Sequence, residues 1–71
     1  MINKYCRVKR ENISFVQFIL EAYEGMATIS TIDSREALIR VSIMPDFISE
    51  ISDVLLELKK SNAIEKIDDY R

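Results

Sequence analysis

Near its N-terminus the chain alternates, with Cys6 and Val8 at one parity and Tyr5, Arg7 and Lys9 at the other. A period of two belongs to a half-buried strand, and the spacing predicts one over Lys4 to Lys9. From Ile13 to Glu24 no helix breaker intervenes. There Phe15, Ile19, Ala22 and Tyr23 form an apolar stripe at helical spacing, widened by Val16 and Leu20, with Gln17, Glu21 and Glu24 on the outer side. Asn12 is placed to cap the N-terminus of this helix, and Gly25 to accept the left-handed conformation past its end.

Two β-prone runs follow, Met26 to Ile32 and Ala37 to Met44, joined by Asp33-Ser34-Arg35-Glu36. So short a polar link predicts an antiparallel hairpin. In the second run Ile39, Val41 and Ile43 share one face, while Leu38, Arg40, Ser42 and Met44 share the other. Pro45 ends the strand and Asp46 is a second N-cap candidate. From Phe47 to Lys60 the positions Ile48, Ile51, Val54, Leu55 and Leu58 draw a clean stripe, with Glu50, Asp53 and Glu57 opposite. Lys59 and Lys60 suit the negative end of the helix dipole. Ser61-Asn62 stops this helix, and Ala63 to Asp69 reads as a last strand. Ile64 and Ile67 have opposite parity, so alternation leaves open which of them faces inward.

The order is strand, helix, strand, strand, helix, strand. Right-handed crossovers place both helices on one face of the sheet. The predicted fold is therefore α+β: a ferredoxin-like two-layer sandwich, β-α-β-β-α-β, with a four-stranded antiparallel sheet. Its inner layer is expected to contain Cys6, Val8, Ile39, Val41 and Ile43, with Ala27 and Ile29.

Composition narrows what such a domain does. Seventy-one residues make one domain, spanning 1–71. With one cysteine and no histidine, an intramolecular disulfide is impossible and a structural zinc site lacks its usual ligands. Small scaffolds usually need a disulfide, a metal or self-association, so a homodimer is the expectation. The first ten residues carry Lys4, Arg7, Lys9 and Arg10 and no apolar core, unlike a signal peptide. No apolar run is long enough to cross a bilayer. A cytoplasmic chain without membrane contact is expected. The net charge of −2 argues against nucleic acid as a generic partner.

Catalytic chemistry is poorly provided for. Cys6 has no histidine to raise its thiolate and alternates toward the core. The single glycine, Gly25, cannot build a phosphate loop. Asp68 and Asp69, as strand neighbours, point to opposite faces. No cofactor and no enzymatic activity are expected.

One surface remains. With both helices on one side, the opposite sheet face is bare. The parities place Tyr5, Arg7 and Lys9 on it from the first strand and Leu38, Arg40, Ser42 and Met44 from the third. Thr28, Ser30 and Ile32 come from the second. The ligand or interface residues on this face are thus Tyr5, Arg7, Lys9, Leu38, Arg40 and Met44. Three uses are open. Acids of the last strand (Glu65, Asp68 or Asp69) pair with the arginines across the sheet; or Tyr5, Ile32, Leu38 and Met44 contact a second copy; or the guanidinium groups hold a small anionic ligand.

The segment from Phe15 to Gly25, Phe-Val-Gln-Phe-Ile-Leu-Glu-Ala-Tyr-Glu-Gly, with Ser30-Thr31-Ile32-Asp33, resembles a family of short bacterial proteins known as a domain of unknown function. The likeness runs from about Tyr5 to Leu58 and implies a complete short protein. In element order the chain also looks like ACT-type regulatory domains, which bind amino acids or other small effectors between paired domains. Their ligand loop after the first strand typically contains glycine, whereas Lys9-Arg10-Glu11-Asn12 contains none, so no ligand residue carries over. The expected function is a non-catalytic, homodimeric ACT-like domain with a structural or small-anion-sensing role. The alternative is a nucleic-acid-binding module on the open sheet face. RNA-recognition modules share this topology, but they stack bases on exposed aromatics of the central strands, and here only Tyr5 is available.

Overall fold

Alternation around Cys6 and Val8 becomes strand β1, Ile2–Val8. A computed structural model describes residues 1–69 of the chain, Asp69 by its backbone alone. After β1 come α1 (Ile13–Glu21), β2 (Ala27–Asp33), β3 (Leu38–Ile43), α2 (Ile48–Lys60) and β4 (Ile64–Asp69). The strands form one antiparallel sheet in the order β2-β3-β1-β4, with β1 and β3 central. This is the α+β ferredoxin-like sandwich that the element order predicts.

The core lies between the sheet and the two helices. Cys6, Val8, Ile39, Val41 and Ile43 meet Val16 and Leu20 of α1 and Ile51, Leu55 and Leu58 of α2 in one buried cluster. Ala27 joins it, and Ile29 packs against its margin. Helix α2 keeps the phase that its pattern dictates, with Glu50, Asp53 and Glu57 exposed. Helix α1 does not. Phe15 and Ala22 face solvent, and the seam is Val16 and Leu20, flanked by Ile13, Ile19 and Tyr23. Six of the nine residues of α1 are apolar and surround most of its circumference. Periodicity alone therefore leaves its rotation undetermined, and packing against the sheet, β2 above all, sets it.

Both helices are reached through a single 3-10 turn, Arg10–Asn12 and Pro45–Phe47. Neither expected cap forms. Asn12 has helical backbone (φ −102°, ψ −1°) and makes no side-chain capping bond, and the cap position of α2 is Phe47, not Asp46. The 3-10 turns use backbone acceptors instead: Asn12 N–H donates to Lys9 O at 2.8 Å and Phe47 N–H to Met44 O at 2.9 Å.

The helix ends follow the pattern more closely. Asn62, at φ +67°, ends α2 in a Schellman arrangement: Asn62 N–H donates to Lys59 O (3.0 Å) and Ala63 N–H to Leu58 O (2.9 Å). After α1 the turn tightens to i→i−3 bonds through Glu24, and Gly25 takes φ +92° before β2. The parity puzzle of β4 is resolved by a bulge. Val8 pairs with Ile64 but Arg7 with Lys66, so one extra residue, Glu65, shifts the alternation. Ile64 is buried, and Ile67 packs on the same core.

Candidate functional site

Strand register fixes how the open face is tiled. Cα partners put Ser30, Arg40, Tyr5 and Asp68 in one row across β2, β3, β1 and β4. The next row holds Asp33, Leu38, Arg7 and Lys66, and on the other side lie Thr28, Ser42 and Asn3. Adjacent strands are about 4.8 Å apart, so side chains within a row touch and those in neighbouring rows meet diagonally. Tyr5, Arg7, Leu38 and Arg40 are thereby gathered as their parities predict. Lys9 and Met44 are not. Strand β1 ends at Val8 and β3 at Ile43, so both residues lie beyond the sheet, each leading into a 3-10 turn. Both keep extended backbone (φ −75°, ψ 141° for Lys9; φ −65°, ψ 134° for Met44), and Met44 N–H still donates to Met26 O at 2.9 Å.

The charges of this face are arranged unequally. Arg7 Nη1 donates to Glu36 Oε1 at 3.1 Å, both side chains about half exposed. Its partner comes from the β2–β3 turn, not from β4, the source in the first of the three uses left open by the sequence. That turn is held by Asp33, whose Oδ1 accepts from the backbone N–H of Arg35 (2.9 Å) and Glu36 (3.2 Å), so Glu36 is aimed over β1. On β4, Asp68 lies 3.9 Å from Lys66 of the same strand. The side chain of Asp69, the third acid considered as a partner, lies outside the described residues. At such exposure each pair contributes about 0–1 kcal/mol.

Arg40 differs. It is half-buried in the middle of the sheet, and its Nε is shielded from solvent without a hydrogen-bond acceptor. Among the described residues no carboxylate pairs with it. A buried donor left unsatisfied costs about 1–3 kcal/mol, more when charged. Below it, Ser42 Oγ donates to Asn3 Oδ1 at 2.8 Å, which leaves that polar pair satisfied within the protein. A shallow depression of about 350 Å³ on this face is lined by Tyr5, Arg7, Leu38 and Asp68, and Arg40 is the register partner of Tyr5 on β3.

Cys6 lies on the opposite side of β1, fully buried, and burial pushes its thiol up to about 12, with Lys4 opposing and Asp68 adding to the shift. Among the described residues no three His, Cys, Asp or Glu side chains are grouped to hold a metal ion. Among the described residues no helix is long and apolar enough to cross a membrane.

Two features escaped sequence reasoning. Glu36 as the partner of Arg7 was hidden in a turn, although the Asx pattern at Asp33 was a legible signal for a structured loop. Phe18, the most exposed large apolar side chain at 72%, was not assigned to any face.

The family model of the domain of unknown function DUF4911 matches residues 6–61, and the chain belongs to that family. No curated protein and no solved structure matches the chain.

Proposed function

We propose that this domain is a non-catalytic binding module, ACT-like in role, whose open sheet face holds a small anionic metabolite at Arg40. The observation that carries the reading is the state of that guanidinium: central, half-buried, and without an acceptor for its Nε. A carboxylate or phosphate suits such a group, since it accepts two parallel N–H bonds from a guanidinium fork. Arg7 adds positive potential from the next row although its own charge is engaged with Glu36. Tyr5 and Leu38 offer an apolar wall to the rest of the ligand. Asp68, across Tyr5 from Arg40, disfavours a multiply charged anion and suits a zwitterion, whose ammonium group it would accept.

Thermal unfolding in the presence of millimolar amino acids, carboxylic acids or inorganic phosphate tests this. At least one class is expected to raise the midpoint of the wild-type chain and to leave Arg40→Gln unmoved. If none shifts the wild type, or if Arg40→Gln responds as the wild type does, the reading fails. Nucleic acid on the same face is the second reading. Tyr5 beside Arg40 on the central strands favours it, but one aromatic offers a single stacking platform. It requires RNA binding that weakens steeply with salt.

A further inference from the structure

Helix α1 presents a second apolar surface. Phe18 is 72% exposed and Phe15 50%, and Ala22 continues the same stripe one turn on. The core is complete without them, so the rings contribute little to the monomer. A helix apolar on both sides is ordinarily buried on both sides.

The charges at its two ends give the occupant. Lys9, Arg10 and Glu11 stand before the N-terminus of α1, with the bases in excess, and Glu21 and Glu24 stand at and past its C-terminus. No acidic residue occupies its first turn and no basic one its last. This distribution opposes the helix's own dipole, which favours anions at the N-terminus and cations at the C-terminus. A single copy gains nothing from it. Two copies packed antiparallel do, because each basic end then meets an acidic end and the two dipoles oppose.

We infer that the outer face of α1 is a self-association surface, on which a second copy of this chain packs its own α1 antiparallel about a twofold axis between Phe15 and Phe18. Phe15 then lies on the partner's Phe18 and the reverse, Ala22 allows close approach, and Lys9 comes opposite the partner's Glu24. The contact is isologous, so it closes at the dimer. Offset or edge-to-face aromatic pairs supply its centre, with charge pairs at its rim. This surface lies on the helix side and leaves the sheet face with Arg40 free, so the two proposals stand or fall separately.

Sedimentation equilibrium of the full chain tests it, with circular dichroism to verify folding of each variant. The wild type is expected to be a monomer–dimer system, with association weakened at least about tenfold in Phe18→Glu and in Phe18→Ser, as for a central aromatic anchor. Because Phe18 is exposed, both variants should fold as the wild type does. The half-swaps Lys9→Glu/Arg10→Glu and Glu21→Lys/Glu24→Lys should each weaken association, and the four substitutions together, which leave the net charge unchanged, should restore it. A strict monomer at high concentration overturns the inference. So does a dimer that survives Phe18→Glu but is lost in Arg40→Gln, which moves the contact to the sheet, or a four-fold swap no tighter than its halves, which removes the antiparallel register. A monomer that binds anionic lipid vesicles through Phe18 overturns it as well, in favour of a membrane surface.

Discussion

Helix α2 turns Ile51, Leu55 and Leu58 toward the sheet and Glu50, Asp53 and Glu57 toward water, whereas α1, on the same sheet, turns Val16 and Leu20 inward and Phe15 and Phe18 out. Both helices pack on the same sheet and are approached through a 3-10 turn, yet the outer side of α2 is mostly acidic with Leu56 alone exposed among its large apolar residues, while α1 exposes two aromatic rings. Solvation accounts for the acids of α2, whose one strongly exposed large apolar side chain is Leu56, at 52%. It does not account for α1, whose outward phenylalanines have no role in the monomer's core. Where two equivalent elements differ in this way, the one that departs from the solubility pattern carries information about contacts outside the chain.

The sharpest way to break this contrast is to truncate one side chain from each surface. Leu55→Ala, at the fully buried seam of α2, is expected to cost about 2–5 kcal/mol in urea unfolding, through lost burial and the cavity left behind. Phe18→Ala, measured at concentrations where the chain is monomeric, is expected to change stability by less than about 0.5 kcal/mol. Comparable losses would mean that Phe18 packs into the monomer, and the difference between the helices would disappear.

Cys6 lies beneath the helical layer and reads its integrity through pH. Its thiol is raised from 9.0 to about 12 in the fold. Below pH 9 both folded and unfolded chains hold the proton, so its contribution is fully present. Between pH 9 and 12 the unfolded chain loses that proton while the folded one keeps it, and stability falls as pH rises, by up to about 1.4 kcal/mol per unit. Cys6→Ala should flatten the slope in denaturant titrations at pH 8 to 10.5. A slope unchanged by the substitution would show that the thiol is reached by solvent under one of the helices.

Smallest is the difference between the two C-terminal stops. Gly25 and Asn62 both have positive φ, and a Cβ built on Gly25 meets no atom within 4 Å. Gly25→Ala is thus expected to cost about 1 kcal/mol from backbone conformation alone, while Asn62→Gly should be neutral or stabilising by a few tenths. Thermal unfolding of the two variants should move in these different directions. A loss on Asn62→Gly would assign the asparagine side chain a role that its backbone position does not explain.

Local pattern determined the element order, the inner face of β1 and β3, and the rotation of α2. In each of these the apolar residues recur with one period and one phase, and water enforces the phase. It also placed Tyr5, Arg7, Leu38 and Arg40 on one bare surface, because strand parity admits two faces and Cys6, Val8, Ile39, Val41 and Ile43 take the other. Tertiary structure decided the rest. The rotation of α1 needed the sheet beneath it, since apolar residues surround most of that helix. Ile64 and Ile67 reach the same core through a bulge that no alternation encodes. The pairing of Arg7 with Glu36, and the isolation of Arg40, depend on which turn folds over which strand. Such contacts join residues far apart in sequence (29 positions for Arg7 and Glu36), and spacing along the chain carries no record of them.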